Sequence, residues 1–107
     1  MITSDSLTYQ EALSKARADI KTILQRRQLD PLRYIVDIDS GQPAFAPRDT
    51  HFLRIAYNRH EDLSAEVAIP HDWLLGGVGE SHEKFLRAVD DMVLELKGKV
   101  HATGRPL

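Results

Sequence analysis

The chain has 107 residues, a formal net charge of −2 and no cysteine. This length accommodates one domain, which buries roughly two-thirds of its unfolded surface, and the absence of cysteine excludes disulfides, thiolate metal sites and cysteine nucleophiles. The small negative charge disfavours nonspecific binding to nucleic acids or anionic membranes. The opening MITSDSLTYQ lacks the pattern of a secretory signal, and no run approaches the ~20 apolar residues of a membrane span. We therefore expect a cytoplasmic protein.

The first predicted element is a helix over about residues 7–28. Thr8 and Glu11 have the spacing of a capping box, and apolar residues then recur every three or four positions, which is typical of one buried helix face. Asp30–Pro31 ends the helix, because proline disfavours helical geometry in the residue before it. Residues 8–28 also carry five basic against two acidic side chains, so this helix is a candidate surface for an acidic partner.

Three strands follow, over residues 33–39, 51–58 and 63–69. In each of them apolar side chains alternate with polar ones, which indicates a strand with one buried face. The proline- and glycine-containing stretch 40–49 is predicted to be a loop, and RHED at 59–62 a turn.

The stretch AIPHDWLLGGVGESHEKF at 68–85 connects the last strand to a second long helix over about 80–97. HDWLL at 71–75 is predicted to form one helical turn whose tryptophan closes the end of the core. Gly98 stands where a left-handed C-terminal cap is expected. We expect residues 1–5 and 99–107 to be flexible tails.

This order of elements predicts an α+β fold of one domain over residues 1–107. The three strands should form an antiparallel meander, since sequential strands with short connections usually pair. Each long helix has a single apolar stripe, so both should pack on the same face of the sheet in a two-layer sandwich.

The other face of this sheet is the first candidate binding surface. If Tyr57 opposes Leu63 and Ile38 opposes Leu53, a charged row of Asp37, Arg54 and Glu66 crosses the sheet. Phe52 and Ile35 lie on the same face, where a fully solvated surface would leave them exposed. We expect Phe45 from the 40–50 loop, or a second subunit, to cover Phe52.

The second candidate is a pocket at the end of the sheet near residues 71–79, formed by His71, Asp72 and Trp73. The GGVGES segment lacks the lysine of a phosphate-binding P-loop, and Glu80 and Glu83 would repel a phosphate. The five histidines make no helical i, i+4 pair, so no metal site is predicted, although His71–Asp72 and His82–Glu83 could converge. His51, His60 and His101 are interpreted as loop or tail residues.

No catalytic residue is assigned. A G-x-S-x-G nucleophile elbow is missing, and Arg54 between Asp37 and Glu66 would keep both carboxylates ionised, which is unsuitable for a general acid.

The order helix, three strands, helix resembles that of the double-stranded-RNA-binding domain. That family has a run of lysines at the start of its last helix, which grips phosphates, whereas this chain has GESHEKF there. RNA readout of that kind depends on phosphate contacts, so nucleic-acid binding is disfavoured. Small acidic dimeric secretion chaperones are similar in combining helices with an antiparallel sheet.

The sequence therefore favours a non-enzymatic interaction or accessory protein without a cofactor. Its partner would be a protein, and self-association through the open sheet face or a sheet edge is one possibility. A small ligand-binding protein or enzyme with a pocket near His71–Gly79 is the alternative.

Overall fold

A computed structural model describes residues 8–39, 50–58, 60–75 and 79–107. The elements in chain order are α1 (Tyr9–Arg26), a 3₁₀ turn (Pro31–Arg33), β1 (Tyr34–Ile38), β2 (Thr50–Tyr57), β3 (His60–Pro70), α2 (His71–Leu75) and α3 (Glu80–Ala102). The strands form one antiparallel sheet in the order β1-β2-β3. The predicted α+β fold with the order α-β-β-β-α, including the short helical turn at 71–75, is confirmed. Within the described ranges, no helix combines the length and apolar character needed to cross a membrane.

Helix α1 begins with the predicted capping box and ends in a left-handed turn. The Thr8 hydroxyl accepts from the Glu11 amide, and the Glu11 carboxylate accepts from the Thr8 amide. At the other end, Gln28 has φ 65°, and the Leu29 amide donates to the Leu24 carbonyl over 2.8 Å. This is the bonding pattern of a Schellman motif. In that motif glycine usually occupies the left-handed position. The helix therefore stops before Asp30–Pro31, where the sequence predicted its end.

The register of the sheet places the predicted residues opposite one another. Ile38 pairs with Leu53 and Asp37 with Arg54, and Arg54 pairs in turn with Glu66. The charged row expected from the sequence is thus confirmed.

The connection between β2 and β3 differs from the prediction. Tyr57 pairs with His60 instead of Leu63, because the register shifts between Ala56 and Tyr57. Strand β3 therefore begins at His60, so the predicted turn over RHED at 59–62 is wrong for residues 60–62, and residue 59 lies outside the described residues. An irregularity of this kind adds unpaired residues to one strand without changing the register further along, which is why the charged row remains in place.

One face of the sheet packs on the helices and forms a single core. Leu53, Ile55 and Ile69 lie on this inner face, each at most 2% exposed. Helix α3 packs against β3 and β2, and α1 packs against α2 and α3. The fully buried side chains Ile20, Val89 and Leu96 supply the helical part of the core. Burial of each such side chain stabilises the fold by roughly 1.5–3 kcal/mol.

Helix α3 is longer than the sequence suggested. It continues through Gly98 to Ala102, so the prediction of a C-terminal cap at Gly98 is wrong. Gly104 has φ 77° and occupies the left-handed position after the helix instead. Residues 99–102, predicted as part of a flexible tail, form its last turn. The Leu107 carbonyl accepts a hydrogen bond from the Asp30 amide over 2.9 Å.

Several basic side chains of α1 and of the residue after it form hydrogen bonds or ion pairs within the chain. The Arg27 guanidinium binds the Asp90 carboxylate of α3 with two hydrogen bonds, one of 2.8 Å from Nε to Oδ1. Lys15 Nζ lies 3.4 Å from Asp19 and 3.3 Å from His82 Nε2. These intramolecular contacts weaken the case for α1 as a docking surface for an acidic partner, since the charges are partly neutralised already.

Both edges of the sheet are capped by a basic side chain from a helix. Arg17 of α1 donates to the Val36 carbonyl of β1, and Lys99 of α3 donates to the Ser64 carbonyl of β3, each over 2.8 Å. Positive side chains over the backbone of an edge strand hinder pairing with another chain. This arrangement favours the sheet face over the sheet edges as the place for self-association.

Candidate functional site

The outer sheet face carries the predicted charged row between two exposed apolar side chains. Arg54 Nε lies 3.8 Å from a carboxylate oxygen of Glu66, whose side chain is 69% exposed. Phe52 is 56% exposed and Ile35 is 41% exposed on the same face. Phe52 therefore remains largely open to solvent. The predicted cover of Phe52 by Phe45 lies outside the described residues.

A shallow cavity of about 240 Å³ lies within this row. Asp37, Phe52, Leu53, Arg54 and Glu66 line it. The Arg54 Nε atom is buried and donates to no acceptor in the part of the chain that the structure describes. Among the same residues, Asp37 forms no ion pair, although it pairs directly with Arg54 in the sheet. Within the described residues, the face thus holds the unpaired Asp37 carboxylate next to a guanidinium whose ion pair with Glu66 is not a hydrogen bond.

On the opposite side of β2, four side chains from four parts of the chain form a polar network. Tyr9 of α1 donates to Asp39 Oδ2 over 2.8 Å, and His51 Nδ1 lies 2.6 Å from the same oxygen. His51 Nε2 lies 2.8 Å from Nδ1 of His71, the first residue of α2. The His51 ring also stacks against the rings of Tyr9 and His71. The network ties α1 and α2 to the start of β2.

Asp39 is the ionised centre of this network. It is only 7% exposed, and its other carboxylate oxygen accepts from the Phe52 amide over 2.9 Å. Burial alone would raise the pKa of Asp39, but the hydrogen bonds from the Phe52 amide, His51 and Tyr9 outweigh it and lower the pKa below the usual carboxyl value. Asp39 has φ 56°, a left-handed conformation that aspartate tolerates better than most residues.

His71, Asp72 and Trp73 were predicted to border one pocket with residues 76–79, of which 76–78 lie outside the described residues. His71 turns its Nδ1 atom to His51, and Asp72 is exposed. Trp73 is half-buried and lines a groove of about 300 Å³ together with Lys84, Arg87, Ala88 and Asp91 of α3. Neither this groove nor the cavity on the outer face is lined by His71 or Asp72.

The sequence interpretation missed His51. The prediction of a loop residue is wrong, because His51 lies in β2 and is 3% exposed. The alternation of the strand already indicated this position. His51 precedes Leu53 by two and Ile55 by four residues, so all three side chains face inward. His60 and His101 likewise belong to β3 and α3 rather than to loops or tails.

His71 and His82 do not converge on a common point. His82 Nε2 lies near Lys15 and Asp19 of α1, whereas His71 contacts β2. In the described part of the chain, no group of three or more histidine or acidic side chains is arranged to hold a metal ion.

Comparisons with protein-family models, with curated proteins and with solved structures gave no significant match. Any functional conclusion therefore rests on the geometry of the chain itself. The outer face offers apolar contact and the Asp37 carboxylate, which forms no ion pair among the described residues, and the inner network links a buried carboxylate to an exposed imidazole.

Proposed function

We propose that this chain is a non-enzymatic interaction protein that self-associates through the outer face of its sheet. The observation that carries the proposal is the exposure of Phe52 and Ile35 on that face, on either side of a charged row. Large apolar side chains grouped on one surface mark interaction sites more often than scattered ones do. As part of the same proposal we place the protein in the cytoplasm, because a cysteine-free chain suits a reducing compartment.

The charges of the row favour a second copy of this chain as the partner that binds the outer sheet face. In a two-fold interface each contact occurs twice, with the roles of the two copies exchanged. Arg54 of one copy can then meet Asp37 of the second copy, while Asp37 of the first meets Arg54 of the second. Such pairing gives the Arg54 guanidinium a second carboxylate besides that of Glu66 and gives Asp37 a cation. A face bearing only one sign of charge would instead repel its own copy.

The size of the face sets the expected affinity. The three strands lie ~4.8 Å apart and pair over five to eight residues, each ~3.3 Å long. The projected area of the sheet face is therefore on the order of 300 Å². A stable interface buries ~800 Å² on each partner. We therefore expect a weak dimer, with a dissociation constant in the micromolar to millimolar range.

Light scattering coupled to size exclusion tests the apolar part of the proposal. Between ~10 μM and ~1 mM, the average mass should rise from that of a monomer toward that of a dimer. Phe52→Ser should raise the dissociation constant about 30-fold, the equivalent of the ~2 kcal/mol of a central contact. Leu94→Ser is the matched control, since Leu94 is similarly exposed at 42% but lies on α3. A wild-type monomer at every concentration, or equal effects of the two variants, would overturn the proposal.

A charge exchange tests the pairing itself. Arg54→Asp and Asp37→Arg each place like charges opposite one another in the two-fold dimer, so each variant alone should be monomeric. Mixed in equal amounts, the two variants should form a heterodimer, because both opposed pairs regain opposite charges. Far-UV circular dichroism of each variant verifies that it is folded. Failure of the folded variants to associate on mixing would show that Arg54 and Asp37 do not meet across an interface.

A further inference from the structure

Within the described residues, the short helix α2 is held by one side-chain hydrogen bond and by apolar packing. Leu74 is 6% exposed, and Trp73 and Leu75 pack against the core. The polar contact is the 2.8 Å approach of His71 Nδ1 to His51 Nε2. A helix of five residues has too little internal hydrogen bonding to be stable alone, so these contacts determine whether α2 stays in place.

The number of protons in the histidine pair decides whether the polar contact exists. Asp39 is ionised and accepts only, so His51 Nδ1 carries a proton and donates it to Asp39. Tyr9 donates to the same carboxylate oxygen, so Asp39 is the acceptor in both contacts. With His51 neutral, its Nε2 atom accepts, and His71 Nδ1 must donate. With both rings neutral, one proton therefore lies between them.

Further protons act in two steps. The first leaves the bond between the rings intact, since whichever ring takes it, one ring can still donate to the other. The second protonates both rings fully, and then two N–H groups face each other at a distance suited to one hydrogen bond. Both rings are also positively charged at that point, and Asp39 compensates only one of the two charges. The contact is then repulsive.

We propose that the contact between His51 and His71 is an acid-sensitive latch, which holds α2 on the core at neutral pH and releases it when both imidazoles are protonated. Among the described residues, the charged and titratable groups facing His51 are Tyr9 from α1, Asp39 after β1 and His71 from α2. Asp39 stays ionised in mildly acidic solution, because its pKa is below the usual carboxyl value. The latch is therefore released on acidification, when the two rings take up protons while Asp39 keeps its charge.

Release of α2 would change two surfaces. It would expose the side chain of Leu74, which is buried at neutral pH. It would also open the groove between Trp73 and the α3 residues Lys84, Arg87 and Asp91. The consequence is an apolar surface that the protein presents in acid and covers at neutral pH. This inference does not depend on self-association through the outer sheet face.

Trp73 reports directly on the latch, because it is the one tryptophan of the chain and lies in α2. Between pH 8 and pH ~4, Trp73 emission of the wild-type protein should shift to the red and its quenching by acrylamide should increase, with far-UV circular dichroism retaining the signal of α1 and α3. Emission that changes without greater acrylamide access would reflect a nearby charge alone and would overturn the proposal. A flat response, or simultaneous loss of all helical signal, would do so as well.

Two substitutions assign the effect to the pair of rings. His71→Asn keeps an amide donor for His51 Nε2. Once His51 is protonated, the amide can present its oxygen instead. The change in Trp73 emission on acidification, called the acid step below, should therefore disappear. His101→Asn is the control, because His101 is exposed near the end of α3, and it should leave the step unchanged. Persistence of the step in His71→Asn, or its loss in His101→Asn, would contradict the latch.

Discussion

Replacement of Asp39 by asparagine tests the polar network most directly. The asparagine side chain would preserve the shape of the aspartate and tolerate the left-handed backbone at φ 56°, so backbone strain does not enter. The oxygen that accepts from the Phe52 amide can remain, but an NH₂ group replaces the oxygen that accepts from both Tyr9 and His51. Two hydrogen bonds to a charged acceptor are lost.

The expected cost follows from those two bonds. Hydrogen bonds to charged groups contribute roughly 1.5–3 kcal/mol each. His51 can change tautomer and accept from the new amide, which recovers about 1 kcal/mol. We therefore expect Asp39→Asn to lower the free energy of unfolding by about 3 kcal/mol. That is a large part of the roughly 5–15 kcal/mol typical of a domain.

Urea unfolding at pH 7, followed by circular dichroism, measures this difference. Asp72→Asn is the control, since Asp72 is exposed next to His71 and should change stability by less than ~0.5 kcal/mol. The pH dependence has a definite sign. A carboxyl whose pKa is lowered by folding stabilises the protein above the unfolded value of ~3.9 and loses that contribution as the pH falls through the folded value. The difference between wild type and Asp39→Asn should therefore shrink toward pH ~2. A difference below ~0.5 kcal/mol at pH 7 would refute the reasoning.

Three further changes test local features of the fold by urea unfolding. Gln28→Gly should raise the free energy of unfolding by about 0.5–1 kcal/mol, because glycine suits φ 65°; a loss of stability would contradict the Schellman ending. Tyr34→Phe should be neutral or stabilising at pH 7, since the Tyr34 hydroxyl is buried without a partner among the described residues. Burial raises the pKa of Tyr34 to about 12, so the wild type should lose stability as the pH rises from ~10 to ~12, and the phenylalanine variant should lose less. Asp90→Asn should cost about 1 kcal/mol, and less in high salt, because it removes a partly exposed ion pair with Arg27; an equal cost in high salt would show that screening is unimportant.

The sheet register could be predicted because two kinds of information agreed. Alternation placed Asp37, Arg54 and Glu66 on one face, and their opposite charges favoured the observed alignment. The shift between Ala56 and Tyr57 could not be predicted, since a four-residue turn and an irregular strand are both compatible with the same alternating pattern. Only the turn was affected, because the pairs further along the strands keep the predicted alignment.

The end of α3 shows how tertiary packing outweighs local propensity. A glycine inside a helix costs about 1 kcal/mol relative to alanine, which suggested an end at Gly98. Val100, however, is fully buried, and its burial contributes roughly 1.5–3 kcal/mol. Val100 follows Leu96 by four residues and so continues the apolar stripe. The stripe was a better guide to the end of the helix than the glycine.

The histidine network was only partly visible in the sequence. The alternation of side chains along β2 could have placed His51 in the core. Its partners Tyr9, Asp39 and His71, however, come from three other parts of the chain. Asp39 reaches His51 because the chain takes a left-handed step directly after β1. Neither that step nor the packing of α1 against α2 follows from periodicity, so this side of the site required the three-dimensional structure.

The two proposed sites lie on opposite faces of β2 and meet at Asp39. Asp39 is hydrogen-bonded to His51 on the core side and to the amide of Phe52, whose ring lies on the outer face. If the sites act independently, Phe52→Ser leaves the acid step unchanged and His71→Asn leaves the dimer unchanged. Asp39→Asn should then be the variant that alters both, since it loosens the common anchor. Loss of dimer in His71→Asn would instead mean that α2 and the outer face communicate by a route other than Asp39.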